Sequence, residues 1–357
     1  MDDRVRSTLV DRVTRTSETP PDSHAPLDVA VIGAGLSGLA CARSLSDAGN
    51  RVRVFDKARG PGGRMATRRN GELRFDHGAQ YFTVRDPRFR RWVERWHADG
   101  LVARWPGTIA VVRKGEISFK DDSIERWVGV PGMSAICGRL ASGLEVAYGS
   151  RIVHLEHRDN RWRLRTADGT DAGRFDAVVV SAPAPQTAAL LAAPAAHLAE
   201  RAAEVDMAHC WAAMVSFPDT LGLDFDGAFV EDSPLGWISR NNTKPGRPAD
   251  ESWILHATPE WSSQHLELDQ DVAAQWLADA FQDAGGRDLP PRRFLTAHRW
   301  RFALPINPLS EPCLLDPDLA IAACGDWAGG PRVEGAFLSG CAAAEGIAGL
   351  RSTSTRL

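Results

Sequence analysis

Gly33, Gly35 and Gly38 stand at G-x-G-x-x-G spacing, and Asp56 follows 23 residues after Gly33. Residues of these types at this spacing can hold a dinucleotide. Gly33 allows a tight turn, Gly35 lets a pyrophosphate approach the backbone, and Gly38 lets a helix pack closely on a strand. Ser37 lies in the same turn, where free N–H groups at a helix start attract phosphate. Asp56 offers a carboxylate to a ribose hydroxyl and would repel a 2′-phosphate, which favours the adenosine of FAD or NAD.

A second glycine-rich run, residues 57–65 (KARGPGGRM), follows at once. Its glycines permit close approach to a ligand, and Arg64 can present a planar donor fork to phosphate. The bland reading of the same run is a flexible surface loop with solvated arginines.

The elements needed to position these groups are present in order. Residues 29–32 form a short apolar run, as expected of a parallel strand buried on both faces. A helix is predicted over 36–48, ended by Gly49 and Asn50, and a second strand over 51–55. Further on, residues 85–100 read as a helix with Phe89, Trp92, Val93 and Trp96 on one face. Residues 108–112 and 116–119 read as a strand pair, 133–141 as a helix, and 145–148, 152–157 and 162–166 as strands. Residues 175–180 and 319–326 read as further buried strands, and a helix starts near Val333. No second G-x-G-x-x-G accompanies the strand at 175–180, so a separate nicotinamide domain is not expected. Ligands of such sheets sit at the carboxyl ends of the strands, which places the first and last strands on one site.

The chain has 357 residues, more than one core usually holds, so two lobes are expected. Its formal net charge of −4 argues against a nucleic-acid surface. Only Lys57, Lys114, Lys120 and Lys244 are lysines among 42 basic residues. The six cysteines, at 41, 137, 210, 313, 324 and 341, show no C-x-x-C pair and no metal-ligand spacing, so no metal is expected. No apolar run is long enough for a membrane span, and residues 1–26 lack the apolar core of a signal peptide. The expectation is a cytoplasmic protein with reduced thiols and a disordered extension over 1–26.

Three motifs taken together carry a family resemblance. GAGLSGLACA with FDKARGPGGRM, then FDHGAQYFT, then CGDW with RVEGAFLSG, resemble the FAD-dependent amine oxidase superfamily, and within it the bacterial renalase branch. PGMSAI, APAPQTAALL, WILHAT and HRWRFALP resemble that branch in order and spacing. The resemblance covers residues 28 to about 350. It implies an α/β (α+β overall) architecture: a Rossmann-type FAD-binding domain of the p-hydroxybenzoate hydroxylase-like fold with a second, mixed substrate domain. The FAD-binding domain would comprise residues 27–78, 130–185 and 310–351, and the substrate domain 79–129 and 186–309.

The resemblance further implies noncovalent FAD. Gly33, Gly35 and Ser37 would meet its pyrophosphate, with Gly38 in the same cofactor-binding turn, Asp56 at the adenosine ribose, Arg64 at the phosphates and Val153 at the adenine. Asp326, beside Gly325, would bind the ribitol, and Gly335 and Ala336 would sit under the flavin N1/C2 carbonyl. Lys57, Gly63, Met65 and Gln80 belong to the same matched blocks. The implied activity is oxidation of misreduced 2- and 6-dihydro isomers of NAD(P)H to β-NAD(P)⁺, with two electrons passed to O2 to give hydrogen peroxide. The implied partners are thus a small-molecule dinucleotide and oxygen, with no nucleic acid and no membrane. Tyr81, His256, Arg299 and Trp300 are the candidates for the substrate wall, each with an ordinary core or interface role as its alternative. Phe302, where a tyrosine is expected, and Pro331, which interrupts a glycine pair, depart from the pattern.

The chief alternative is a flavin amine oxidase acting on a small amine. Such enzymes commonly cage the flavin with paired tyrosines, and this chain has only Tyr81 and Tyr148. A flavin-bound chaperone or redox sensor and a carotenoid-type desaturase are the remaining alternatives.

Overall fold

The computed structural model describes residues 25–120, 123–285 and 288–353. All but the last two residues of the expected N-terminal extension lie outside the described residues. β1 (Asp28–Ile32) has Val29, Ala30 and Val31 fully buried, because elements cover its sheet on both faces. α1 (Leu36–Asp47) returns the chain to β2 (Arg51–Asp56), which pairs parallel with β1 from Asp28↔Arg51 to Ile32↔Phe55. Gly49, at φ +82°, takes the left-handed conformation that closes the helix, and Asn50 Nδ2 donates to the Leu45 carbonyl at 3.0 Å.

Six strands form this sheet, in the order Leu314–Asp316, Ile321–Ala323, Ala177–Val180, β1, β2 and Glu145–Tyr148. All pairings are parallel except that of the outermost Leu314–Asp316. The strand Ile321–Ala323 is not adjacent to β1, since Ala177–Val180 lies between them. The parallel pairing still brings their carboxyl ends to one edge.

The strand expected over 175–180 is two strands. Asp171–Phe175 joins an antiparallel sheet with Ile152–Arg158 and Arg161–Thr166, and Ala177–Val180 joins the parallel sheet. Asp176 makes the corner: its N–H donates to the Asp28 carbonyl at 2.7 Å, and its carboxylate accepts from the Asp28 N–H at 2.8 Å. The apolar run masks this switch because both halves are buried.

β3 (Thr67–Asn70) and β4 (Leu73–Asp76) form a hairpin whose Leu73 and Phe75 pack against Met214 and Ile254 of the second sheet. α2 (Pro87–Ala98) starts where Asp86 accepts from the Arg88 N–H at 2.7 Å, with proline at its first position. Phe89, Val93 and Trp96 are its buried face, and Trp92 lies at the margin, 5.5 Å from the Phe337 ring.

The second sheet has seven strands, in the order Phe294–Pro305, Met207–Ser216, Ser252–Ala257, Leu235–Arg240, Gly227–Glu231, Ile109–Arg113 and Glu116–Phe119. Alternation along Ser252–Ala257 decides its two faces. Trp253, Leu255 and Ala257 pack with Ala273, Leu277 and Phe281 of the helix Gln270–Gly285, leaving Ile254 and His256 on the opposite face. Among the described residues no helix is long and apolar enough to cross a membrane.

Candidate active site

A cleft of about 3070 Å³ runs along the carboxyl edge of the parallel sheet and beneath the inner face of the second sheet. A single small ligand fills roughly 300–1,000 Å³, so the cleft has room for a dinucleotide and a further ligand.

Its nucleotide half is built by glycines of two kinds. A Cβ at Gly33 would come within 2.4 Å of the Ser181 carbonyl oxygen, and one at Gly38 within 2.1 Å of the Gly33 oxygen. These two are required by the fold. A Cβ at Gly35 would meet nothing within 4 Å, yet Gly35 lines the cleft, so its small size keeps space for a ligand. Gly35 is also the N-cap of α1 and provides no side-chain hydrogen bond, so that helix start lacks a side-chain acceptor of its own. Ser37 lines the same turn. The second glycine run lies against the first: Gly62 N–H donates to the Ala34 carbonyl at 2.9 Å, and a Cβ at Gly63 would stand 3.3 Å from Gly35 Cα. Asp56 lines the cleft and shapes both loops, accepting from the Ala34 N–H at 2.5 Å and the Ala58 N–H at 2.7 Å. Lys57, Met65, Val153, Gly325, Asp326 and Ala336 also reach the cleft.

Several expected contacts are arranged differently. Arg64, expected at phosphates, forms a two-point ion pair with Asp326 at 2.6 and 2.7 Å and donates to the Ala303 carbonyl at 3.0 Å. Gly335 serves packing: a Cβ there would lie 2.2 Å from the Gly330 oxygen, and only its neighbour Ala336 lines the cleft. Gln80 is buried away from the cleft. Its Oε1 accepts from Lys244 Nζ at 2.8 Å and Ser239 Oγ at 2.6 Å, and its Nε2 donates to the Gly78 carbonyl at 3.0 Å.

Those bonds tie Gln80 into a buried polar knot that the sequence does not announce. Asp76 accepts from Arg247, Thr67 Oγ1 at 2.7 Å and the Met133 N–H at 2.9 Å. Burial alone would raise the Asp76 carboxyl, but Arg247, Lys244 and these bonds hold it below its ordinary value. Burial pushes Lys244 down to about 7, against the attraction of Asp76. The knot fastens β4 to the loop that follows the strand Leu235–Arg240.

The loop leaving β4 carries the other half of the site. His77 stacks on Trp300 with centroids 5.0 Å apart, and His298 stands edge-on to both at 4.9 and 4.2 Å. Trp300 Nε1 donates to the His77 carbonyl at 3.0 Å, and His256 Nε2 lies 3.2 Å from the same oxygen. Burial, with the neighbouring His298 and Arg68, lowers His77 to about 3; burial lowers His256 to about 4, and burial with Arg68 lowers His298 to about 4. All three are neutral at physiological pH. Tyr81 lines the cleft with Trp237, ring centroids 5.7 Å apart, and Trp105 stands 6.1 Å behind.

Tyr81, His256 and Trp300 are thus brought together. Arg299 is not: its guanidinium is taken by the Leu266 carbonyl at 2.6 Å and Glu267 at 2.9 Å, over the Trp211 ring. Neighbours on a strand face opposite ways, so Arg299 borders the cleft on the side away from Trp300. His77 and His298 were missed as wall residues, although the His-x-Trp alternation of residues 298–300 was signal enough. Among the described residues no group of three or more His, Cys, Asp or Glu could hold a metal ion.

The cleft is lined by thirteen arginines and lysines, four of them (Arg64, Arg247, Arg299 and Arg301) paired with Asp326, Asp76 and Glu267, so basic charge remains in excess although the chain as a whole carries −4. The open space at Gly35, the uncapped start of α1 and this charge fit an adenine dinucleotide.

Comparison with known proteins agrees. Residues 31–96 match the NAD(P)-binding Rossmann-like domain, and residues 98–348 match the flavin containing amine oxidoreductase family. Among curated proteins, acetone monooxygenase (methyl acetate-forming) of Gordonia sp. (strain TY-5) is 34% identical over 150 residues, 41% of this chain and 24% of that protein. Phytoene dehydrogenase of Streptomyces griseus is 45% identical over 62 residues, 17% of this chain and 12% of that protein. The chain thus matches about a quarter or less of the length of these relatives. Among solved structures, cyclohexylamine oxidase from Brevibacterium oxydans IH-35A superposes with a TM-score of 0.70 at 13% identity, covering 93% of this chain and 100% of the other. A putrescine oxidase variant superposes with a TM-score of 0.68 at 13% identity, covering 90% and 99%. At such identities the likeness shows the shared fold, while the family match spans most of the sequence. This chain belongs to the flavin-containing amine oxidoreductases, and its cofactor is FAD.

Proposed function

We propose that the protein is an FAD-dependent oxidase of misreduced 2- and 6-dihydro isomers of NAD(P)H, returning β-NAD(P)⁺ and, with oxygen as acceptor, hydrogen peroxide. The observation that carries this reading is the excess of positive charge along the cleft. An alkylammonium substrate is repelled by such a surface, whereas a dinucleotide brings a pyrophosphate to it. Noncovalently bound FAD supplies the hydride acceptor, and a dihydropyridine that surrenders hydride becomes aromatic without needing a base. The neutral state of His77, His256 and His298 suits that chemistry. With Trp300 and Tyr81 they offer flat, uncharged, hydrogen-bonding walls against which a nicotinamide ring can be oriented. All six cysteines are free thiols, as suits a reducing compartment such as the cytoplasm.

A flavin amine oxidase acting on a small amine is the second reading, favoured by the aromatic trio of Tyr81, Trp105 and Trp237. Anaerobic stopped-flow absorbance separates the two. Rapid bleaching of the flavin by 6-dihydroNAD, but not by β-NADH or benzylamine, is the expected result; bleaching by benzylamine alone would move the assignment to an amine oxidase.

A further inference from the structure

We propose that Arg69 and Arg74, on the β3–β4 hairpin, form a phosphate subsite that grips the anionic portion of the substrate. The proposal rests on the dinucleotide reading above and names the residues that would select for it. Arg69 and Arg74 are directly opposite each other across the antiparallel pair. Side chains in that relation leave the same face with Cβ atoms about 5 Å apart, and like charges so placed destabilise the pair. Arg74 serves the turn through the Gly71 and Leu73 carbonyls, but a second arginine opposite it works against the pair. Among the described residues neither has a carboxylate within 4.0 Å, and both line the cleft.

The pair is also held in place. Arg74 Nη1 donates to the Gly71 and Leu73 carbonyls at 2.7 and 2.9 Å, and Asn241 Nδ2 fixes the Arg74 carbonyl at 2.7 Å. The turn between the strands is the two residues Gly71 and Glu72, with Gly71 at φ +56°. The hairpin leads into the histidine wall, since β4 runs straight into His77; Arg68 faces that wall, and Arg69 and Arg74 line the cleft from the hairpin's other face.

Other lining cations, Arg59, Arg151 and Arg332 among them, also have no carboxylate within 4.0 Å among the described residues, but Arg69 and Arg74 alone are registered opposite each other across a strand pair. The open turn at Gly35 and the start of α1 suit the pyrophosphate of FAD, and Arg64 is neutralised by Asp326. Arg69 and Arg74 thus offer two adjacent positive charges to a second anion. Its chemistry is that of the phosphate or pyrophosphate ester of a dinucleotide substrate, with a free inorganic anion as the competing occupant.

The test is calorimetric titration of the oxidised, FAD-loaded protein with ADP-ribose, an unreactive portion of the substrate, and separately with inorganic pyrophosphate. ADP-ribose should bind, more weakly as salt is raised. Each of Arg69→Gln and Arg74→Gln should weaken it about tenfold, the value of one charge-assisted hydrogen bond. Arg69→Glu should abolish binding and, by giving Arg74 a cross-strand partner, raise Tm by about 1–2 °C, so the loss cannot be laid to unfolding. Equal binding of ADP-ribose by wild type and variants, or binding of pyrophosphate but not ADP-ribose, would overturn the subsite. Its failure is separable from failure of the dihydropyridine reading. Arginine-dependent ADP-ribose binding without bleaching by 6-dihydroNAD keeps the subsite and rejects the activity, whereas bleaching with arginine-independent binding does the reverse.

Discussion

Arg64 and Asp326, 262 positions apart in the chain, meet as a two-point ion pair with nitrogens 2.6 and 2.7 Å from the carboxylate oxygens. The Asp326 side chain is only 9% exposed, so its charge depends on this partner. Arg64→Ala should cost the flavin-free protein about 3–5 kcal/mol, because it strands a buried carboxylate. Asp326→Asn, which leaves no buried charge, should cost less. Urea unfolding of the flavin-free proteins measures both; equal costs would show that the pair is not what holds Asp326.

Gly35 and Gly38 should respond in opposite ways to a methyl group. Gly35 has φ −76° and open space beyond its Cα, so Gly35→Ala should leave Tm unchanged or slightly raised while weakening FAD binding tenfold or more. Gly38→Ala drives a Cβ to 2.1 Å from the Gly33 oxygen and should cost about 1–3 kcal/mol whether or not flavin is present. Flavin fluorescence titration beside thermal melts distinguishes the two.

The histidine wall makes stability fall in mild acid. His77 binds its proton only near pH 3 in the folded protein but near 6.5 when unfolded, so the unfolded state holds more protons between these limits. Stability should therefore drop as pH falls below about 6.5, by up to roughly 1.4 kcal/mol per pH unit for this group. His77→Gln should reduce the slope by that amount. An unchanged slope would mean that His77 titrates normally.

Arg299→Ala should have little effect on turnover, since the side chain is engaged with Glu267 and the Leu266 carbonyl. Glu267 is mostly exposed, so the lost pair is worth no more than about 1 kcal/mol. Steady-state kinetics with the dihydro isomer would show it; a large rise in KM would place Arg299 on the substrate after all.

What the sequence made legible was local and periodic. The strand, turn, helix and strand from Asp28 to Asp56 could be read because each step has its own chemical mark: a buried apolar run, glycines at fixed offsets, a terminating Gly49. The corner at Asp176 stayed hidden because it needs Asp28, 148 positions away, as its partner. The same holds for the knot around Lys244, whose partner Gln80 is 164 positions distant and reads from its motif alone as a ligand contact. Arg299 is a different case, because it lines the cleft while period-two alternation already set it on the face opposite Trp300.

The close approach of Gly340 to α1 has a consequence for biosynthesis. A Cβ there would lie 2.0 Å from the Ser37 oxygen, so the C-terminal helix Val333–Thr353 presses directly on the turn meant for the pyrophosphate. The first part of the nucleotide cradle to leave the ribosome thus waits for Gly340, 303 positions after Ser37. At about 5–20 residues per second that interval is roughly 15–60 s, during which the cradle is without its back wall. Cofactor capture should therefore follow synthesis of this helix, and a truncation that removes it should forfeit the flavin as well as the helix.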